Sequence, residues 1–241
     1  MAQKSASLLL RTPVFRMSYP NLVDPKPYQD PKTGKKGDPT YNVEALIKPD
    51  DIAKFQVLRD DTWEEVDVKQ AMAEVAKTEW TDINLKEAVA QKALGWPLKD
   101  GEKKKAEREA KGKKGDVYEG VKVLPLKASK DYPPQLYVVE GGKFRELSRA
   151  NEADKAKAEQ LFVGGYYAKG NVNLKAVETP QGRYVTFYLN AIVFIREGER
   201  IGGMSAEERF GGIEGGESDY DPTRASTTRS RSRDRRRPGR R

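Results

Sequence analysis

The chain has 241 residues, 37% hydrophobic and 34% charged, so part of its length is expected to lie outside any packed core. It contains neither cysteine nor histidine, which excludes disulfides, thiolate metal centres, the usual zinc hydrolases and imidazole acid–base catalysis. The formal net charge of +8 belongs to one segment: residues 222–241 carry nine arginines against Asp234 alone, leaving residues 1–221 neutral overall.

The three leucines at 8–10 are too short a run for the apolar region of a secretion signal. No stretch approaches the ~20 apolar residues of a membrane span. A cytoplasmic protein without a membrane partner is expected. Residues 14–19 alternate as a strand, with Phe15, Met17 and Tyr19 on one face, and Pro20 ends the run. Residues 24–39 read as a proline- and glycine-rich loop carrying Lys32, Lys35 and Lys36. A second strand spans 41–48, with Tyr41, Val43, Ala45 and Ile47 inward. Asp50 and Asp51 then suit a helix start. The pattern from 52 to 93 is mostly helical, an insertion over about 50–95. Residues 99–116 hold eight basic and five acidic residues and no large apolar one, which reads as a solvated loop or frayed helix.

The second half is more specific. Strands are expected at 121–129 and 136–139, a short helix at 152–162, and two long strands at 166–178 and 183–197 joined by the turn Thr179-Pro180-Gln181-Gly182. In the first long strand Ala168, Gly170, Val172, Leu174 and Ala176 face inward; in the second, Val185, Phe187, Leu189, Ala191, Val193 and Ile195 do. The expected fold is mainly β with inserted helices (α+β), a small five-stranded closed barrel ending in a long hairpin. It would occupy residues 1–204. Residues 205–241 are expected to be disordered: residues 207–221 hold six acids against Arg209, and the arginine segment follows.

The outward face of the long hairpin presents Tyr167, Lys169, Asn171, Asn173 and Lys175 beside Tyr184, Thr186, Tyr188 and Asn190, with no carboxylate until Glu178. Cations that track phosphates, rings that stack on bases and amides that reach sugar or base edges are what single-stranded nucleic acid needs. An ordinary solvated strand also uses these residues, though it usually mixes both signs of charge. Lys122, Lys127, Lys130 and Tyr132 add to the same surface, with Arg16 nearby, and the 32–36 lysine loop could clamp a passing strand. In the tail, Arg229, Arg231, Arg233, Arg235, Arg236 and Arg237 would displace counterions from phosphate regardless of base. Contact with an acidic protein, or with the acidic segment just before it, is the alternative. The acid pairs Asp50-Asp51, Asp60-Asp61 and Glu64-Glu65 are the only hint of a magnesium nuclease, and adjacent acids diverge in either strand or helix. No dinucleotide fingerprint or Walker motif occurs. No catalytic residue, metal ligand or cofactor is assigned.

Five ordered blocks carry a family resemblance: Arg16-Met-Ser-Tyr-Pro-Asn-Leu22; residues 41–49 followed by Asp50-Asp51; Pro97-Leu-Lys-Asp-Gly101; Leu126-Lys-Ala-Ser129; and residues 190–203, ending Arg-Glu-Gly-Glu-Arg-Ile-Gly-Gly. Across roughly residues 14–212 the chain resembles the bacteriophage single-stranded-DNA-binding proteins of the OB-fold kind. The resemblance implies a five-stranded OB barrel that coats single strands in the host cytoplasm during phage DNA replication, recombination and repair, without catalysis. Related proteins often end in an acidic tail that recruits replication proteins. Here the acidic segment is followed by arginines, which puts such recruitment in doubt and favours tighter, less strand-selective binding. Duplex DNA or RNA bound through the tail is the competing expectation, and a monomer or a homodimer fits the residues equally.

Overall fold

The computed structural model describes residues 6–29, 34 and 36–201. Its first strands are β1 (Ser7–Arg11), β2 (Phe15–Gln29) and β3 (Lys36–Ile47). A hairpin of β4 (Phe55–Arg59) and β5 (Thr62–Val66) follows, then α1 (Val68–Glu79), α2 (Leu85–Ala90) and the short strands β6 (Leu94–Gly95) and β7 (Lys99–Asp100). Helix α3 (Gly101–Glu109) leads to β8 (Lys122–Ser129), β9 (Gln135–Glu140) and β10 (Lys143–Glu146). The chain then forms α4 (Glu152–Leu161) and the long hairpin of β11 (Tyr167–Thr179) and β12 (Gly182–Arg196). Expectations for the segment after residue 204, including its arginines, fall outside the described residues.

Five strands close on themselves. β12 pairs antiparallel with β11, β11 with β2, β2 with β3 and β3 with β8, while β8 runs parallel to β12. The ring is uneven: β11 and β12 are paired along their full length, but β11 meets β2 only at Tyr167–Arg16 and Ala168–Phe15. Alternating apolar residues fill it, among them Phe15, Met17, Val43, Ala45, Leu124, Leu126, Val172, Leu174 and Phe187, all buried. The expected inward sets of β3 and β11 are buried as well. Two extensions widen the sheet. β1 and the β4–β5 hairpin continue from β11, and the β9–β10 hairpin continues from β12.

Two expectations need correction, and a third is resolved between its alternatives. The helical insertion expected over 50–95 opens with a single 3₁₀ turn at Pro49–Asp51, where a helix start was expected, and continues as the β4–β5 hairpin. Phe55 and Val57 alternate into the core, and Asp60 and Asp61 both take positive φ, 45° and 62°, making the tight two-residue turn. The first α-helix begins at Val68, where the Asp67 carboxylate accepts from the Lys69 amide at 2.7 Å and Val68, Met72, Val75 and Ala76 turn one face to the core. The loop expected at 24–39 is largely the two outer arms of a long β2–β3 hairpin. Of the solvated loop or frayed helix expected at 99–116, the helix is present as α3, capped by Asp100, whose carboxylate accepts from the Glu102 amide at 2.9 Å. Its apolar anchor is Tyr118, just beyond the charged run and fully buried with Leu46 and Val123.

The final strand also departs from strict alternation. The register runs Asn171–Ala191 and then Val172–Leu189, so Asn190 is an extra residue in β12. One inserted residue exchanges the two faces beyond it. Val185, Phe187 and Leu189 point inward as expected, but past the bulge Ile192 is buried while Val193 is half-buried and Ile195 is exposed. Substituting alanine at Phe187 or Ile192 should therefore cost ~2–5 kcal/mol in denaturant unfolding, whereas Val193→Ala should cost less than about 1 kcal/mol. An equal or larger loss at Val193 would place the bulge elsewhere.

Candidate nucleic-acid interface

Register carries one outward residue from each ring strand into a single row. Asn21 of β2 lies opposite Asn42 of β3, Asn42 opposite Lys127 of β8, Lys127 opposite Tyr188 of β12, and Tyr188 opposite Asn173 of β11. Paired residues share a face, and strands sit about 4.8 Å apart, so the row spans about 19 Å around the ring. Side chains knit its ends. The Asn21 amide donates to the Asn42 oxygen at 3.1 Å. Asn190, set free by the bulge, donates to Asn171 at 3.0 Å and accepts from Asn173 at 3.1 Å. Between them the Tyr188 ring is flanked by two ammonium groups, Lys127 at 5.6 Å and Lys175 at 5.9 Å from its centre.

Four of the expected site residues thus come together: Lys127, Lys175, Tyr188 and Asn171. Asn21 and Asn42 were missed. Asn42 is the outward alternate of a strand whose inward residues were legible, so alternation was an available signal for it, whereas alternation from Phe15 and Met17 would turn Asn21 inward, and only the register break between Ser18 and Asn21 turns it outward.

The other expected residues lie elsewhere. Lys122 and Lys127 are five residues apart on one strand, hence on opposite faces. Lys122 turns away to Asp100 at 2.6 Å, and this hydrogen bond, with backbone amides, holds the Asp100 carboxyl below its usual range. Tyr184 lies flat on Gly95, where an added Cβ would stand 2.3 Å from the ring. Tyr167 is covered by Arg196 at 3.6 Å. Beside it, Arg16 donates to the carbonyls of Gly165 at 3.1 Å and Glu199 at 2.6 Å, tying the end of the described chain to β2. Lys169 is exposed on β11. Lys130 and Tyr132 sit on the β8–β9 loop, Tyr132 with 81% of its surface exposed. Lys32 and Lys35 fall outside the described residues, while Lys36 begins β3.

Arg149 fixes that loop against the β2–β3 hairpin. Its guanidinium donates to the carbonyls of Leu22 (2.8 Å), Val23 (3.3 Å) and Pro134 (2.6 Å), and lies 5.0 Å from the Tyr41 ring. Two of the three acid pairs have structural places: Asp51 meets Lys54 at 2.8 Å, and Asp60 and Asp61 form a turn. Among the described residues no group of three or more acids could hold a metal, and no helix is long and apolar enough to cross a membrane.

The sequence model of the family described as the Enterobacter phage Enc34 ssDNA-binding protein matches residues 9–221. The chain belongs to this family. Among solved structures, the single-stranded DNA-binding protein from bacteriophage Enc34 in complex with ssDNA superposes with a TM-score of 0.54 at 18% identity, covering 83% of this chain and 97% of that one. A second structure of the Enc34 protein gives 0.52 at 17% identity, covering 86% and 94%. At such identities the likeness is one of fold. No curated protein sequence matches the chain.

In this member of the Enc34 family one polar network stands on the same outer face. The buried Tyr118 hydroxyl is 3.0 Å from Ser18 Oγ and donates to Glu44 at 3.0 Å. Burial, with the Glu44 charge behind it, pushes that hydroxyl well above its ordinary 10.0. Unfolded tyrosine ionises near that value while the folded one holds its proton to higher pH, so this stability is whole below about pH 10 and is lost as pH rises above it. Tyr118→Phe should cost about 1–3 kcal/mol at neutral pH because Ser18 and Glu44 lose their partner. The variant's stability should also decline less steeply than the wild type's above about pH 10, measured by denaturant titration across the alkaline range. Parallel declines would remove Tyr118 from the linkage.

Proposed function

We propose that this protein binds single-stranded DNA without regard to sequence, coating it during phage DNA replication, recombination and repair in the host cytoplasm. The observation that carries the reading is the Asn21–Asn42–Lys127–Tyr188–Asn173 row. With Lys175 beside it, the row supplies cations for phosphates, a ring for stacking and amides for sugar and base edges. Membership of the Enc34 family supports the same reading, and one structural neighbour was solved with ssDNA bound. We read the ring as an OB barrel. The strand order, the single parallel closure of β8 on β12 and the helix α4 between β8 and β11 all suit that architecture. We read no catalytic role for any residue.

The arginines from Arg224 to Arg241 are read as a sequence-blind phosphate tether. They are also the ground for a second reading, in which duplex DNA or RNA is the target. Both readings meet one experiment: equilibrium binding of the full chain and of a chain ending at Asp221 to a single strand, its duplex and an RNA.

Tyr188→Ala with Lys127→Ala should weaken single-strand binding by roughly 1–3 kcal/mol for the lost stack, plus the lost phosphate contact, in either chain. Removing 222–241 should flatten the salt dependence by about 0.7 per phosphate released on a single strand and about 0.9 on duplex, leaving a core that prefers single strands. A core that binds no single strand, or one indifferent to the double substitution, would overturn the proposed row. Equal affinity of the full chain for all three substrates would favour the second reading.

A further inference from the structure

We infer that the segment around α3, inserted between the ring strands β3 and β8, is a basic arm of the binding surface, with Tyr19 and Arg108 as a second stacking station and Lys111 and Lys113 as phosphate contacts. The inference rests on the single-strand-binding reading above.

The insertion is seated on the outer face of the ring, not beside it. Tyr118 packs on Leu46 of β3 and Val123 of β8, and its hydroxyl reaches Ser18 of β2 and Glu44 of β3. Glu44 is two residues from Asn42 on the same face, so this anchor lies only about 7 Å along the strand from the polar row. Glu44 is the carboxylate that would repel a phosphate there. It is occupied from the insertion itself, by an ion pair with Lys104 and by the Tyr118 hydroxyl.

Arg108 then links the anchor to a surface station. Its guanidinium lies 5.6 Å from the Tyr118 ring and 4.9 Å from the Tyr19 ring, and it donates to the Tyr19 hydroxyl. Tyr19 sits where the β2–β3 register breaks between Ser18–Glu44 and Asn21–Asn42, holds a positive φ of 45°, and is 46% exposed. Positive φ is uncommon for a bulky residue. Here it swings an aromatic ring outward two positions from Asn21, at the head of the row. A half-exposed ring braced by a guanidinium is a stacking platform for a base.

The same arginine shapes the turn that follows α3. The amides of Lys111 and Lys113 donate to the Arg108 carbonyl at 2.9 and 3.0 Å, and Arg108 Nε donates to the Lys114 carbonyl at 3.0 Å. Lys111 and Lys113 are exposed on this braced turn. Residues 99–114 hold eight cations and four acids. Of the acids, Asp100 pairs with Lys122 and Glu102 accepts from the Gly120 amide; of the cations, Lys104 pairs with Glu44 and Lys105 with Glu119. A chain neutral from 1 to 221 therefore concentrates positive charge beside an exposed ring and the polar row.

The test uses the full chain and a labelled oligothymidine in fluorescence anisotropy across a salt series. Three variants are compared with wild type: Lys111→Gln/Lys113→Gln, Tyr19→Gly, in which glycine accepts the positive φ, and Lys77→Gln/Lys86→Gln on helices α1 and α2, outside the arm. We expect the Lys111/Lys113 variant to lower the slope of log affinity against log salt by about 1.4. Tyr19→Gly should weaken binding at least about fivefold at unchanged salt slope, and the α1/α2 control should match wild type. Wild-type slope in the Lys111/Lys113 variant together with wild-type affinity in Tyr19→Gly, while Tyr188→Ala still weakens binding, would overturn the arm alone. Failure of wild type to bind the oligothymidine at all would instead overturn the single-strand reading on which the arm rests.

Discussion

The structure depends on β12 being one strand shared by several partners. One edge of β12 is paired with β11 throughout its length. Its other edge meets β6 at Arg183 and Tyr184, β8 at Phe187 and Tyr188, and β9 from Ala191 to Val193, all in parallel. A strand that closes a ring with one neighbour and then leaves it for another must bend between them. The extra residue Asn190 falls in that interval. Bulges bend strands and raise their twist, so the same residue that redirects β12 also exchanges its faces. Before the bulge Tyr188 is outward on the ring; beyond it Ile192 is inward and Val193 turns out.

The bulge also creates the amide chemistry of the surface. Asn190 has no residue opposite it, and its side chain bridges Asn171 and Asn173 on the neighbouring strand. Together with Asn21 and Asn42 this makes a face rich in neutral donors and acceptors around a ring flanked by lysines. Two other aromatic–cation pairs serve the fold instead. Arg196 covers Tyr167, and Arg149 binds three carbonyls over Tyr41. Arginine can hold several carbonyls in a fixed geometry, whereas a lysine near a ring keeps a compact ammonium that other partners can approach. That difference separates Tyr167 and Tyr41 from the Tyr188 site.

The lower half of the ring's outer face is closed by the insertion. Leu46 and Val123 would otherwise expose apolar surface on β3 and β8; Tyr118, Val117 and Val121 cover them. Covering this half with a tyrosine rather than a purely apolar group keeps Ser18 and Glu44 satisfied, since each finds the Tyr118 hydroxyl. The polar row is the part of the face left open.

Local pattern made a large part of this legible in the sequence. Alternation over residues 166–178 and 183–189, the turn between them and the helix at 152–161 are period-two and capping signals carried by neighbouring residues, and so was the charge of the arginine segment. The β4–β5 hairpin hid because its turn is Asp60-Asp61 rather than an asparagine–glycine pair, and α3 was legible only as one of two alternatives because a helix anchored by one tyrosine looks solvated by composition. The bulge could not be read at all: whether Asn190 is an extra residue depends on its partner strand, not on its neighbours. The row itself joins residues 21, 42, 127, 188 and 173, and only strand register brings such distant positions to one line. The sequence by itself determined which side chains face outward on most strands and where the net charge lies. Tertiary pairing alone decided which outward side chains meet, because register between distant strands is set by closure of the ring and packing of its core, which no local pattern encodes.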